Sequence, residues 1–152
     1  LDIYNRVLAG LEWVIASMHG PCFAPATEQE HTRAWMKVAE NPHVDVIGHC
    51  GRGNYPFDHE KVIRAFKEYG KIVEINNATL QKSTNHAACA DIARLEVPVV
   101  VNSDAHFAAR IGVFDQAVAL LEEVDFPKKL IINADIDRFE EVVAQKRAGL
   151  NQ

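Results

Sequence analysis

Four side chains of the types that bind metal ions each follow an apolar segment of the chain. His19 and His49 each come after one such segment, and Asp104 and His106 come after a third. The three segments have the length and apolar content of buried strands. Because parallel strands all end at the same edge of a sheet, we expect the four side chains to lie along one rim. Imidazole and carboxylate ligands at such a rim predict a hydrolytic metal site.

The spacing of Asp104 and His106 is the most specific part of this pattern. Two residues apart at the end of an extended segment, these side chains lie on one face, so we assign them as catalytic residues as well as metal ligands. A histidine that ends a single strand is equally compatible with a hydrogen bond to a loop carbonyl, and a Ser-Asp pair with a helix cap. The coincidence of three such strand ends favours the metal site.

The remaining candidate ligands favour structural roles. His31, His43 and His59 are interpreted as surface or capping residues. Cys50 directly follows His49; it could add a soft ligand, but a small buried thiol is the favoured interpretation. Glu74 lies inside an apolar segment, where we expect a positioning group or a buried acid and not a direct ligand.

Cations near the predicted rim indicate an anionic substrate. Arg52 lies in a Gly-Arg-Gly loop after His49 and suits bidentate recognition of phosphate. Lys82 and Arg110 belong to two later loops of the same rim, and we assign Arg52 and Lys82 to substrate binding. A solvated surface charge is the alternative for each of them.

Apolar segments alternate with helical patterns along the whole chain. Thr27 and Glu30 form a capping-box pattern that starts one helix, and Asp58 is placed to cap another. Alternation of this kind predicts an α/β fold with parallel strands. The four or five strands are fewer than the eight of a closed barrel, and open edges predict pairing with another chain as a homo-oligomer. The predicted helices are residues 27–40, 58–69, 85–95, 114–124 and 135–148, and the predicted strands are residues 13–18, 44–47, 71–77, 98–101 and 130–132.

Composition excludes several classes of protein. The chain has 152 residues, a net charge of −5 and 48% hydrophobic residues, which is ordinary for a soluble globular domain. No basic stripe indicates a nucleic-acid partner, and no apolar run is long enough to cross a membrane. The three cysteines show no CxxC spacing, so a cytoplasmic location is expected.

With these motifs, the chain resembles the PHP (polymerase and histidinol phosphatase) superfamily, and within it the small bacterial phosphatases. The resemblance is carried by residues 16–19, 23–25, 46–49, 74–77, 102–106 and 124–127 together with the closing helix, and it covers essentially the whole chain. It implies part of a distorted, TIM-like (β/α) barrel with a multinuclear metal site that hydrolyses phosphate monoesters. His19 and His49 would share one metal ion, Asp104 would hold a second and His106 a third; zinc is expected first, with manganese or iron as alternatives. Asn76 and Asn77 would shape the pocket for a small phosphorylated substrate.

One departure from the family pattern affects the domain assignment. Members of the superfamily begin with a His-x-His pair and supply further ligands before the position of His19, and this sequence contains none of them. Residues 1–152 are therefore predicted to be the C-terminal part of a single PHP-type domain. The alternatives are a PHP module of a DNA polymerase and a non-catalytic, truncated metal-binding domain.

Overall fold

A computed structural model describes residues 1–51, 53–78 and 85–150 of the chain. They form an α/β structure in which helices are interleaved with a parallel sheet of four strands. The predicted fold class is thereby confirmed, and an open parallel sheet of this kind is compatible with part of a barrel. The strands, in sheet order, are β1 (Ile15–Ala16), β2 (Val46–Ile47), β3 (Ile72–Asn76) and β4 (Val99–Asn102). The helices are α1 (Asn5–Leu8), α2 (Glu28–Glu40), α3 (His59–Glu68), α4 (Asn85–Arg94), α5 (Asp115–Glu123) and α6 (Ile136–Leu150).

Helix starts follow the predicted caps. The side chain of Thr27 accepts a hydrogen bond from the amide of Glu30, and the Glu30 carboxylate accepts one from the amide of Thr27. Asp58 caps α3 by accepting from the amide of Lys61. Both caps satisfy amides that a helix end otherwise leaves unpaired, so the two helix starts are set locally by sequence.

The two faces of the sheet pack against different elements. Ile47, Val73 and Val99 belong to the larger hydrophobic cluster, which also holds residues of α2 to α5. Their strand neighbours Val46 and Ile72 face the other way, into a small cluster that packs against Trp13 and two residues of α6. Because strand residues alternate between faces, Ile72, Glu74 and Asn76 share the second face. That face therefore runs from an apolar amino end to a polar carboxyl end.

The predicted strand at residues 130–132 is wrong. The segment forms short 3-10 turns, and only Ile131 makes a bridge, to Val99 of β4. Two residues further on, the side chain of Asn133 accepts from the amide of Val101 at 2.9 Å and donates to its carbonyl at 2.8 Å. The Asn133 amide thus makes the contacts that a neighbouring strand would make, which protects this edge of the sheet.

The opposite edge of the sheet, formed by β1, lacks the side-chain contacts that protect the Asn133 edge in the part of the chain that the structure describes. In the described residues no strand pairs with the outer side of β1, and Ile15 of β1 is half exposed. Other large apolar side chains nearby in sequence, Leu1, Ile3 and Tyr4, are exposed as well. Association of two chains through this edge stays a prediction. No helix among the described residues is long and apolar enough to cross a membrane.

Candidate functional site

The two predicted ligands His19 and His49 meet at the carboxyl end of the first two strands. Their Nε2 atoms are 3.1 Å apart and their rings are nearly perpendicular. His19 is exposed and His49 is half-buried. The parallel register Ile15 to Val46 and Ala16 to Ile47 places the two strand ends side by side. Two imidazoles separated by 30 positions in sequence thus form one pair.

Gly48 permits this close approach. A Cβ atom at Gly48 would lie 3.0 Å from a side-chain carbon of Ile15 and 3.1 Å from the Cβ of Ser17. The amide of Gly48 donates to the carbonyl of Ala16 at 2.8 Å, which extends the pairing of the two strands to the rim. A side chain at position 48 would therefore require these neighbours to shift by a few tenths of an ångström, at the point where the two histidines meet.

Glu74 lies between the two halves of the predicted site and connects them. Its Oε2 accepts hydrogen bonds from the backbone amide of His49 at 2.8 Å and from the side chain of Asn76 at 3.1 Å. Its Oε1 accepts from the side chain of Asn102, in β4, at 2.9 Å. A single half-buried carboxylate therefore links the ends of β2, β3 and β4. These contacts make Glu74 a positioning residue for the backbone that carries His49.

Asp104 and His106 follow β4 in a turn that sets the tautomer of the histidine. His106 Nδ1 lies 2.8 Å from the backbone oxygen of Asp104 and 4.0 Å from its carboxylate. Because a carbonyl oxygen can only accept, Nδ1 is the donor in this contact, so in the neutral tautomer the lone pair is on Nε2. The side chains are 78% and 34% exposed for His106 and Asp104 respectively. Both remain open to a ligand.

Two residues at this rim adopt unusual backbone conformations. His49 and Asp104 have φ angles of +30° and +49°. Among the described residues, the other non-glycine residues with positive φ are Glu96 and Asp125, which lie two positions after the last residues of α4 and α5, where such a residue commonly ends a helix. Positive φ at two strand ends is less common, and backbone strain of this kind concentrates at functional sites.

The predicted site residues fall into two groups in the structure. β2 and β4 are separated by β3, and adjacent strands lie about 5 Å apart, so the ends of β2 and β4 are about 10 Å apart. His19 and His49 form one group, and Asp104 and His106 form the other. This arrangement suits more than one metal ion better than a single ion bound by all four residues.

The two predicted substrate-binding asparagines are buried at the end of β3. Asn76 accepts from the amide of Ala78 at 3.0 Å in addition to its bond to Glu74. Asn77 accepts from the amides of Gln116 and Ala117, both at 3.0 Å, and so caps the start of α5. Their predicted substrate roles stay predictions. The other two predicted substrate-binding residues, Arg52 and Lys82, lie outside the described residues.

An open cavity of about 230 Å³ lies beside Asp104. We call it the Asp104 cavity. Its lining comes from the end of β3, the turn after β4 and the start of α5, and includes Asn77, Asp104, His106, Phe107, Arg110 and Gln116.

Two residues near the rim have structural roles. His31 is fully buried, which contradicts its interpretation as a surface or capping residue. Its Nδ1 lies 2.8 Å from the carbonyl of Pro56 and its Nε2 accepts from the amide of Ala26 at 2.8 Å, so it joins two loops. Burial raises the pKa of the Cys50 thiol to about 12. At neutral pH Cys50 is therefore a buried neutral thiol, as favoured from the sequence.

The described residues supply only part of a metal shell. Among them, no three His, Cys, Asp or Glu side chains converge closely enough to hold an ion together. Two imidazole nitrogens bound to one tetrahedral zinc at about 2.0–2.1 Å would be about 3.3 Å apart, close to the 3.1 Å between His19 and His49. The histidine pair thus fits two positions of a zinc shell.

The fold and the rim define an α/β protein with imidazole, carboxylate and amide groups at the carboxyl edge of a parallel sheet. The chain is 40% identical over 154 residues to a protein named probable phosphatase from Caldanaerobacter subterraneus subsp. tengcongensis, covering 97% of this chain and 61% of the relative. A probable phosphatase from Acetivibrio thermocellus is 40% identical over 157 residues, covering 100% of this chain and 65% of the relative. A third, from Aliivibrio fischeri, is 41% identical over 136 residues, covering 85% and 55%.

The chain therefore spans less than two thirds of the length of these relatives. No protein-family profile matches it.

Proposed function

We propose that the intact protein is a metal-dependent phosphatase of the PHP type, which hydrolyses phosphate monoesters at a multinuclear site on the carboxyl rim. His19, His49, Asp104 and His106 would be its metal ligands in this chain. Zinc is the first candidate because imidazole and carboxylate suit it, and manganese or iron are the alternatives. The names of the similar proteins support a phosphatase.

The observation that carries this proposal is the contact between the Nε2 atoms of His19 and His49 at 3.1 Å. Two imidazoles at this distance, each with a nitrogen directed at the other, resemble two ligands of one ion. A hydrogen bond between the rings would explain the distance without a metal ion. It would not explain why the ends of adjacent strands carry histidine, nor why His106 keeps a free Nε2 lone pair at the same rim.

The residues of this chain would have different roles in hydrolysis. A bound divalent ion would supply a hydroxide nucleophile at neutral pH and neutralise charge on the phosphate oxygens. In the reaction a bond forms between the water oxygen and phosphorus, the ester P–O bond breaks, and the leaving alcohol takes up a proton. Glu74 holds the backbone of His49 through a 2.8 Å hydrogen bond and so orients this ligand. Asp104 and His106 act on the other side of the site, next to the Asp104 cavity.

The first test is the metal content of the 152-residue chain. The protein is loaded with zinc or manganese, dialysed, and measured by mass spectrometry. We expect one or more ions per chain, and we expect His49→Ala to lose the ion that the histidine pair holds. The matched control is His59→Ala, because His59 on α3 is paired with Asp91 at 3.8 Å and is not one of the proposed ligands. Retention of no ion by the wild-type chain would contradict metal binding by these residues alone.

The second test uses the intact protein. His49→Ala and Asp104→Ala should each lower phosphatase turnover by about 100-fold or more, since even residues that only support metal ligands typically contribute 10- to 100-fold. Near-normal turnover in both variants would remove these residues from the proposed mechanism. Metal binding without any hydrolysis of phosphate monoesters would favour the non-catalytic alternative.

A further inference from the structure

The Asp104 cavity contains an arginine that makes no polar contact in the described part of the chain. Neither a hydrogen bond nor an ion pair is formed there by the Arg110 side chain. Arg94 and Arg147, in contrast, each contact a carboxylate and have a structural partner. Arg110 lines the same cavity as Asp104. A guanidinium group that is free to bind and lies beside a predicted metal ligand is suited to a phosphate group, which it can contact with two parallel hydrogen bonds.

The second polar group of the cavity is oriented by the fold. Asn77 accepts hydrogen bonds from the amides of Gln116 and Ala117, so the atom facing these two donors must be its oxygen, Oδ1. The Nδ2 group is consequently the donor end of this side chain, and it forms no hydrogen bond with any described residue. Because Asn77 is buried and held by two amides, this donor is fixed before a ligand binds.

The third feature of the cavity is an exposed aromatic ring. Phe107 lines the cavity and is 61% exposed, although a ring of this size is usually buried. A ligand that contacts the ring would remove part of its apolar surface from water. The cavity, at about 230 Å³, is smaller than the roughly 300–1,000 Å³ of pockets for drug-sized ligands, so it suits a compact molecule.

We infer that Arg110 and Asn77 bind the phosphate group of a small phosphate monoester and that Phe107 contacts its leaving group, which carries an apolar or planar face. The inference rests on the proposed function for the reaction, but binding through these three residues requires no metal ion. Arg110 and Phe107 are the specificity-determining residues of the site. A polynucleotide substrate is disfavoured by the size of the cavity and by the net charge of −5.

The test measures binding of phenyl phosphate and of inorganic phosphate to the metal-free 152-residue chain. Amide chemical shifts in NMR titrations report the affinity and the residues involved. We expect both anions to shift the amides of residues 103–117, and phenyl phosphate to bind about threefold to tenfold more tightly because of its ring. Arg110→Gln should weaken both anions by about tenfold or more, since it removes a charge-assisted contact. Phe107→Ala should abolish the preference for phenyl phosphate and leave the affinity for inorganic phosphate unchanged.

Two variants separate the specific contact from general charge. Arg33→Gln removes the same charge from the exposed side of α2 and should leave both affinities within about twofold. Asp104→Asn should strengthen binding to the metal-free chain, because it removes a negative charge from the cavity. Asparagine also tolerates the φ of +49° at this position.

The outcomes for the cavity and for the proposed reaction are independent. Equal affinities in wild type and Arg110→Gln, shifts confined to other surfaces, or no binding by the metal-free wild type would each overturn the inference and leave the metal tests of the proposed function standing. Binding with the expected variant pattern by a chain that also fails to retain an ion after metal loading would support the anion site and count only against metal binding by the residues of this chain alone.

Discussion

The two ends of the sheet differ in the exposure of their polar side chains: those at the amino end are buried and paired, and those at the carboxyl end are accessible. At the amino end, Asp45 is buried just before β2, where it accepts from the amide of Val14 at 2.8 Å and from Arg147 of α6 at 2.5 Å. Lys71, buried just before β3, donates to two backbone carbonyls at 2.6 and 2.7 Å. The charged groups of this end are therefore matched by partners within the chain.

At the carboxyl end, the polar groups are supported but left accessible. His19 and His106 are exposed, and Asp104 presents a third of its side chain to solvent. Glu74 connects the strand ends, and His49 and Asp104 hold positive φ angles. In α/β proteins with parallel strands, stability residues gather at the amino end and reactive ones at the carboxyl end. The contrast within this chain follows that rule, and the predictions below test it.

The largest effect is expected at the amino end. Asp45→Ala removes the partner of Arg147 and an acceptor for Val14, so we expect a loss of about 3–5 kcal/mol in the free energy of unfolding. Urea denaturation followed by circular dichroism measures it. Asp91→Ala is the matched control, since Asp91 pairs with Arg94 at the surface, and it should cost less than about 1 kcal/mol. Equal losses in the two variants would contradict a special role of the amino-end pair.

An intermediate effect is expected for the connecting carboxylate at the rim. In Glu74→Gln an NH2 group replaces one of the two carboxylate oxygens. This group cannot accept a hydrogen bond and would face one of the present donors, so His49 would lose its orientation. We expect a 10- to 100-fold loss of zinc affinity in a competition titration, with about 1–2 kcal/mol lost from the free energy of unfolding. Glu68→Gln, at an exposed position of α3, should change neither quantity. Unaltered zinc affinity in Glu74→Gln would mean that the carboxylate serves stability alone.

The third prediction concerns the pH dependence of stability at the amino end, where no contact is removed. Burial, together with the nearby charge of Lys146, lowers the pKa of Lys71 from 10.5 to about 8, while Asp45 opposes the shift. Between pH 8 and 10.5 the unfolded chain therefore binds more protons at this residue than the folded chain, so the Lys71 contribution to stability rises with pH.

The pH profile of unfolding tests this sign. We expect the free energy of unfolding to gain up to about 2 kcal/mol from Lys71 between pH 7.5 and 9.5, on top of changes from other groups. Lys71→Met should lack this gain, while the smaller contribution of Lys146, whose pKa is lowered chiefly by burial, should remain. A profile with the same slope in both proteins would show that Lys71 titrates as it does in water.

Local patterns in the sequence were sufficient to predict most of the helices and strands of the fold. The capping box of Thr27 and Glu30 and the cap of Asp58 predicted two helix starts, and the apolar segments predicted the strands of the parallel sheet. The prediction of a strand at residues 130–132 was wrong, because an apolar run forms a strand only where a neighbouring strand can pair with it along its length. Its pairing was taken over by the side chain of Asn133, which no local pattern indicates.

For the site, the sequence by itself determined which residue types follow which strands, because a strand end and its polar neighbour are adjacent in the chain. Only the tertiary structure decided that His19 and His49 meet at 3.1 Å, that Glu74 joins three strand ends, and that Asp104 lies in a separate group. These features depend on the order and register of the strands, and on a close approach that Gly48 permits. Such contacts join residues 25 or more positions apart, and their geometry follows from packing rather than from any local pattern.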